Sequence, residues 1–262
     1  MKDKVALITG GSSGIGRAAA LLFARQRARV VITARGEERG TNVVREIEAA
    51  GGTALFVPGD VSQASHVASV VERAVAAFGR LDYALNNAAA LEEPFAPTAD
   101  FTEEQFDRSI ALNLKSVWLC MRQEIRQMLG QQPAGGAIVN TSSINGLGGV
   151  PRAAFYAAAK AGVIALTKSA ALEYASQGIR VNALVAGAFQ TPMLEAGIER
   201  FSGGNPEVKE QIGKHYNQAV PLGRIGRPEE AAEAVLWLCS DRASYVTGHS
   251  MIVDGGWSAP MR

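Results

Sequence analysis

Two side chains four residues apart have the chemistry for proton transfer. They are Tyr156 and Lys160, in the sequence YAAAK. Residues at positions i and i+4 share one face of a helix, so the ammonium group would lie beside the phenol. Tyrosine has an ordinary pKa of about 10, and a nearby cation favours the phenolate and lowers that pKa. The pattern predicts a tyrosine that exchanges a proton with an alcohol or carbonyl oxygen.

A glycine-rich segment near the N-terminus has the composition of a phosphate-binding turn. The sequence TGGSSGIG, residues 9–16, follows a short apolar run and precedes a helical pattern. Glycines let the backbone turn tightly and approach a pyrophosphate, and the first amides of the helix then face the anion. The spacing differs from the commoner GxGxxG, but its place after a first strand is typical of a dinucleotide site. The residues predicted to hold the dinucleotide here are Gly10, Ser12, Ser13, Gly14, Ile15 and Gly16.

The choice between NADP and NAD depends on the end of the second predicted strand. An acidic residue there would bind the ribose 2′-hydroxyl of NAD. Here the strand ends in Thr33, Ala34 and Arg35, with no carboxylate before Glu37. The guanidinium of Arg35 suits a 2′-phosphate, which favours NADP as the cofactor. Two alternatives stay open, namely NAD as the cofactor and a solvated arginine that starts the next helix.

These residues need a scaffold, and the hydropathy pattern predicts alternating strands and helices. Most of the apolar runs are continuous, as in parallel strands that are covered on both faces. The predicted strands are 5–9, 30–34, 54–58, 83–86, 137–141, 181–185 and 250–253. The predicted helices are 15–26, 37–49, 63–78, 103–129, 155–177 and 229–238. The alternation predicts one α/β domain over residues 1–262, a Rossmann fold with about seven parallel strands and helices on both faces.

One segment, 192–221, interrupts this alternation. It contains the sequence SGGNP and lies between a strand and the last long helix. We expect it to form an irregular flap on the substrate side of the site, with an ordinary surface excursion as the alternative.

Charge and composition exclude several classes of partner. The 262 residues include 26 lysines and arginines and 25 aspartates and glutamates, so the formal net charge is +1. A chain with so little net charge lacks the excess of positive charge that is typical of proteins that bind nucleic acid or anionic membranes. Three scattered histidines and two cysteines in apolar stretches predict no metal site. The apolar runs are too short for a membrane span or a signal peptide, so we expect a cytoplasmic protein.

Further motifs stand in a fixed order along the chain. TGGSSGIG is followed by NNAA at 86–89, LNL at 112–114, NTSS at 140–143 and YAAAK at 156–160. RVNALVAG at 180–187 and VTGHSMIVDGG at 246–256 continue the series. Over residues 4–257 the chain resembles the classical short-chain dehydrogenase/reductase family.

The resemblance implies roles for individual residues. Tyr156 would be the general acid/base, and Lys160 would bind the ribose hydroxyls and lower the tyrosine pKa. Ser143, thirteen positions before Tyr156, would hold the substrate oxygen, with Ser142 as the alternative. Asn113 would anchor a water for proton relay with the lysine. The substrate residues are Ser143, Tyr156 and Asn145.

The resemblance also extends the set of cofactor residues. The pair at 60–61 would flank the adenine, the segment 87–89 would line the cofactor, and the loop after residue 186 would face the nicotinamide. Besides Tyr156 and Lys160, these residues are Asp60, Val61, Asn87, Ala88, Ala89, Gly187, Phe189 and Thr191.

Three of these positions depart from the family pattern. Ala89 stands where the family usually has glycine, Ala186 where proline precedes Gly187, and Phe189 where isoleucine or valine is usual. We expect Ala89 to shift the cofactor pose, the lost proline to loosen the strand end, and Phe189 to reshape the substrate pocket.

The resemblance implies NAD(P)-dependent hydride transfer between a nicotinamide and a small secondary alcohol or ketone, in a homotetramer or a dimer. Helices 103–129 and 155–177 would pack between subunits. A 3-oxoacyl-carrier reductase is the alternative enzyme, although the flap mixes Arg200, Lys209 and Lys214 with glutamates and offers no basic patch for an acidic carrier. A non-catalytic dinucleotide sensor is the alternative from another class, and it would not need Ser143, Tyr156 and Lys160.

Overall fold

Seven strands form one parallel sheet in the computed structural model, which describes residues 1–91 and 95–259. The strands are β1 (Val5–Thr9), β2 (Arg29–Ala34), β3 (Thr53–Pro58), β4 (Tyr83–Asn86), β5 (Gly136–Ser143), β6 (Ile179–Ala186) and β7 (Ser250–Val253). Their spatial order is β3-β2-β1-β4-β5-β6-β7, and all neighbouring pairs are parallel. The prediction of a seven-stranded Rossmann fold is confirmed.

Nine α-helices connect these strands in the described part of the chain. They are α1 (Gly14–Arg25), α2 (Glu37–Ala49), α3 (Ala64–Phe78), α4 (Glu103–Ile110), α5 (Ser116–Gly130), α6 (Ala154–Tyr174), α7 (Pro192–Ser202), α8 (Pro206–Ala219) and α9 (Pro228–Cys239). Within the same residues, every helix is too short or too polar to span a bilayer.

Both faces of the sheet are covered, which explains the continuous apolar runs. On β1, Ala6 and Ile8 pack with α1, α2 and α9, whereas Val5 and Leu7 pack with α3, α5 and α6. Successive side chains of a strand point to opposite faces, so a strand between two helical layers needs apolar residues at every position. Both cysteines, Cys120 and Cys239, are free and buried.

The chain leaves β1 toward β2 on one side, and the second half of the sheet starts at β4 on the other. The connections that follow β1 and β4 therefore run in opposite directions along the sheet. This opens a crevice above the carboxyl ends of these two strands. A crevice at such a switch point is where open α/β sheets bind their ligands.

The helix predicted over 103–129 is interrupted, which corrects the sequence analysis. Residues Ala111–Lys115 form a π-helical turn between α4 and α5. A π-turn inside an α-helix commonly marks a functional position. Asn113, one of the predicted catalytic residues, lies in this turn.

The flap over 192–221 is helical, contrary to the irregular structure expected. The Thr191 hydroxyl caps α7 by accepting a hydrogen bond from Leu194 N at 3.3 Å, and the Asn205 side chain caps α8. Gly203 takes a left-handed conformation where α7 ends. The sequence SGGNP is therefore the end of one helix and the start of the next.

Candidate active site

A cavity of about 930 Å³ opens at the carboxyl ends of the strands. It runs from the glycine turn past β2 and β5 to the flap. Of the predicted cofactor, catalytic and substrate residues, all but Gly16 and Asn113 line it. The fold thus brings together side chains that lie far apart in the sequence.

The glycine turn has the backbone geometry expected of a phosphate site. Gly10 and Gly14 have φ of 65° and 52°, a left-handed conformation that favours glycine. The first turn of α1 has no acidic residue, so its amide groups are suited to an anion. Gly16 does not line the cavity, because it packs beneath the turn, where a Cβ would overlap the carbonyl oxygen of Gly10. Its role is to let α1 approach the turn.

Thr9, at the end of β1, joins the turn to the segment after β4. Its hydroxyl accepts hydrogen bonds from the amides of Asn87 and Ala88, each at 3.0 Å. Thr9 has no role among the residues predicted from the sequence, although its place directly before Gly10 is a signal. The contact fixes the cofactor-lining segment 87–89 against the glycine turn.

The end of the cavity beyond β2 carries positive charge. Arg35 follows β2, and Arg39 follows it on α2; both are exposed and both line the cavity. Asp60 and Val61 lie nearby after β3, and the Asp60 carboxylate accepts a hydrogen bond from Ser62 N at 2.9 Å. Sequence reasoning missed Arg39, because one turn of α2 separates it from the strand end.

Lys160 lines the cavity but is buried, with 1% of its surface exposed. Its Nζ donates a hydrogen bond to the carbonyl oxygen of Thr141 at 2.9 Å. The same Nζ lies 5.6 Å from the centre of the Tyr156 ring. Burial lowers the pKa of Lys160 to about 8.

The pKa of the Tyr156 phenol is raised by burial in the protein alone, and its lowering by Lys160 in the complex with the cofactor stays a prediction. Burial raises the pKa of Tyr156 to about 12, and a hydrogen bond with Ser143 acts in the opposite direction. The cation faces the ring and is itself hydrogen-bonded to backbone, so desolvation of the phenolate dominates. Without other groups, the tyrosine is a protonated acid at neutral pH.

The two candidate serines have different partners. The Ser142 hydroxyl is buried and donates to the backbone carbonyl of Lys160 at 2.8 Å. Ser143 is half-buried at the cavity, where its Oγ accepts a hydrogen bond from Asn145 N at 3.2 Å. Its side chain also forms a hydrogen bond with the side chain of Tyr156. This geometry favours Ser143 as the residue that faces a substrate, and Ser142 as an anchor for α6.

Asn113 is fully buried and lies outside the cavity lining. Its Oδ1 accepts a hydrogen bond from Ala90 N at 3.0 Å, and its Nδ2 donates to Ser109 O at 3.1 Å. The side chain therefore holds the cavity-lining segment 87–91 against the π-turn.

The loop after β6 closes the cavity beside the glycine turn. A Cβ on Gly187 would lie 2.6 Å from the Cα of Asp254, so only glycine fits there. Phe189 is almost fully buried and forms a β-bridge with Gly226. It also lines the cavity. Ala186, which stands in place of the family's proline, pairs with Ser143 on one side and Val253 on the other, and a looser strand end stays a prediction.

Comparisons with known proteins agree with this geometry. A family profile described as enoyl-(acyl carrier protein) reductase matches residues 10–258. The A-factor type gamma-butyrolactone 1'-reductase (1S-forming) of Streptomyces virginiae is 42% identical, over 98% of this chain and 96% of that protein. The cyclohexanol dehydrogenase of Acinetobacter sp. (strain SE19) is also 42% identical, with the same coverage. The crystal structure of levodione reductase superposes with a TM-score of 0.92 at 35% identity, over 99% of both chains.

The chain belongs to the short-chain dehydrogenase/reductase family. As a member it is an oxidoreductase, and the family implies a nicotinamide dinucleotide as its cofactor. The glycine turn, the cavity and the cationic end beyond β2 fit such a molecule. No metal-binding group of three His, Cys, Asp or Glu side chains occurs in residues 1–91 and 95–259.

Proposed function

We propose that Tyr156 is the general acid/base of a reversible hydride transfer between a nicotinamide dinucleotide and a secondary alcohol or ketone. The observation that carries this proposal is one cavity that holds the phenol, the Ser143 hydroxyl and the buried Lys160 and also reaches the glycine turn. When bound, the nicotinamide supplies or accepts the hydride.

The chain's own residues manage the proton. In reduction, the Tyr156 phenol donates its proton to the substrate oxygen, which Ser143 holds by a hydrogen bond. The high pKa of Tyr156 keeps the phenol protonated for this step. Lys160 then stabilises the phenolate from the ring side, and Asn113 positions the segment that borders the site.

Replacement of the phenolic hydroxyl tests this mechanism. Tyr156→Phe removes the proton donor, so we expect kcat for ketone reduction to fall about 10²–10⁴-fold. Titration by NADPH fluorescence should give a Kd within about twofold of the wild type, since the ring remains. Tyr174→Phe, at the end of the same helix, where the side chain is partly buried against the apolar core, is the matched control. Unchanged turnover in Tyr156→Phe would refute the proposal.

We propose NADP as the preferred cofactor. The support is the pair Arg35 and Arg39 at the cavity end where the ribose of a dinucleotide would lie. Arg35→Ala should weaken NADPH binding by about tenfold or more and NADH binding much less, because a charged hydrogen bond is worth about 1.5–3 kcal/mol. Fluorescence titration with both cofactors measures this, and Arg45→Ala, exposed on α2 outside the cavity, is the control. Equal losses for both cofactors would speak against a 2′-phosphate site.

A 3-oxoacyl-(acyl-carrier-protein) reductase is the second candidate, and the matching family profile is described by the same kind of carrier-bound substrate. The basic side chains of the flap already have partners within the protein, which leaves less basic surface there for an acidic carrier. Lys209 forms an ion pair with Glu199, Lys214 with Glu210 at 2.7 Å, and Arg200 donates to the carbonyl of Leu91. Turnover of acetoacetyl-CoA above that of cyclohexanone would favour this candidate.

The assembly that the proposal includes is a homotetramer, with a dimer as the alternative. Its support is a set of exposed apolar side chains on α4, α5 and α6. These are Phe106, Trp118, Leu129 and Leu172. The buried free cysteines suit the reducing conditions of the cytoplasm, which we propose as the location.

A further inference from the structure

The flap forms one wall of the cavity with two amphipathic helices. α7 contributes Met193, Leu194, Gly197, Ile198 and Phe201. α8 contributes Val208, Gln211, Ile212, His215 and Tyr216. Their spacing of three and four residues places each set on one face of its helix. No cofactor motif accounts for this wall of the cavity.

The composition of the wall selects among substrates. No Asp, Glu, Lys or Arg of α7 or α8 lines the cavity. Two ion pairs tie charged residues of these helices together, Lys209 with Glu199 and Lys214 with Glu210. A largely apolar, uncharged wall stabilises an apolar ligand by about 25 cal/mol per Å² of buried surface and gives a charged group no partner.

Two polar side chains interrupt this wall on successive turns of α8. Gln211 and His215 are four residues apart, both line the cavity and both remain exposed. Beside them, the ring of Tyr216 packs edge-on against Trp257, with the ring centres 5.5 Å apart. A few polar groups placed in an apolar pocket fix the orientation of a ligand.

We propose that the substrate is a largely apolar secondary alcohol or ketone that carries a second, uncharged oxygen, and that Gln211 and His215 bind this oxygen. The inference rests on the proposed function, because Tyr156 and Ser143 in the same cavity would hold the reacting oxygen. The amide of Gln211 and the imidazole of His215 can both donate hydrogen bonds to such an oxygen. They would thereby set which carbon faces the catalytic residues.

The test uses pairs of alcohols that differ only by an ether oxygen in place of a methylene. The rigid pair is trans-4-methoxycyclohexanol and trans-4-ethylcyclohexanol, and the flexible pair is 6-methoxyhexan-2-ol and octan-2-ol. The charged probe is trans-4-hydroxycyclohexanecarboxylate. Initial rates with saturating NADP⁺ or NAD⁺ give kcat/KM for each alcohol, with wild type, Gln211→Leu and His215→Leu. Gln218→Leu, on α8 but outside the cavity, is the matched control.

We expect the wild-type kcat/KM to be about fivefold higher for the ether in at least one pair, which is the ratio that one hydrogen bond produces. Gln211→Leu and His215→Leu should bring this ratio toward one, mainly through KM, and Gln218→Leu should leave it unchanged. A ratio near one in both pairs, a preference that survives both variants, or a preferred carboxylate would overturn the inference alone. Absence of turnover with every alcohol would instead contradict the proposed function, and this inference with it.

Discussion

Lys160 and Tyr156 show how burial changes the chemistry that a four-residue spacing implies. Burial lowers the pKa of the ammonium to about 8 and raises that of the phenol to about 12. Burial therefore favours the neutral form of both groups, the amine and the phenol, which the spacing alone does not reveal.

Glu124 is a second buried acid, away from the cavity lining. One carboxylate oxygen accepts a hydrogen bond from Asn86 Nδ2 at 2.9 Å, and the other has no partner. Asn86 also donates to Asn140 at 3.0 Å, so the carboxyl is joined through Asn86 to the end of β4 and the middle of β5. Burial raises the pKa of Glu124 to about 8, with Asn86 acting in the opposite direction.

This pKa makes stability depend on pH. The folded state keeps the Glu124 proton up to about pH 8, whereas the unfolded chain loses it near its ordinary pKa of 4.5. The contribution of Glu124 to the free energy of unfolding is therefore complete below a pH of about 4.5. It decreases as the pH rises from there to about 8, by at most about 1.4 kcal/mol per pH unit. Glu124→Gln should remove this slope in urea unfolding between pH 5.5 and 8.5. Glu48→Gln, an exposed glutamate on α2, should keep it, and an unchanged slope in Glu124→Gln would show that the carboxyl is not the cause.

At the scale of elements, the site depends on where strands end and helices begin. The end of β1 is held to the end of β4 by Thr9, and β5 is held to α6 by Ser142 and Lys160. The π-turn at 111–115 lets Asn113 reach back to the segment after β4. These junctions fix the cofactor segment, the serine and the tyrosine on one edge of the sheet.

The junction of the glycine turn with α1 gives a further prediction. Gly16→Ala places a methyl group against backbone at Gly10, so either the turn or α1 must shift. We expect a loss of about 1–3 kcal/mol in the free energy of unfolding, with weaker NADPH binding. Gly213→Ala, in α8 with open space around it, should be neutral or stabilising by up to about 1 kcal/mol. Equal stability of the two variants in urea unfolding would contradict the packing argument.

At the scale of the whole molecule, the two helical layers differ in the large apolar side chains that they leave exposed. On the layer with α5 and α6, large apolar side chains stay exposed, and Leu172 keeps 86% of its surface accessible. Exposed apolar patches on a folded domain commonly mark interaction sites. A symmetric assembly would cover this face in every subunit.

Light scattering after size exclusion measures the assembly. We expect a mass of about four chains of 27.6 kDa for the wild type. Leu172→Glu puts a charge into the proposed interface and should yield smaller species, whereas Asn42→Glu, exposed on α2, should not. A monomeric wild type would contradict the proposed assembly.

The sequence by itself determined the parts of this protein that depend on local spacing. The seven strands, the glycine turn, the Tyr156–Lys160 pair and the cationic end of β2 follow from hydropathy and residue type over a few positions. The family resemblance added the serine, the asparagine and the lining segments at single positions. Local patterns suffice here because parallel strands and helix faces impose fixed periods on the chain.

Only the tertiary structure decided which of these residues meet and in what state. It separated Ser143 from Ser142, removed Gly16 and Asn113 from the cavity lining, and turned the expected loop at 192–221 into two helices. It also showed that burial acts on the pKa of Tyr156 against the effect expected of Lys160. Each of these outcomes depends on burial and on contacts between segments that are distant in the sequence. A local sequence pattern predicts neither of them.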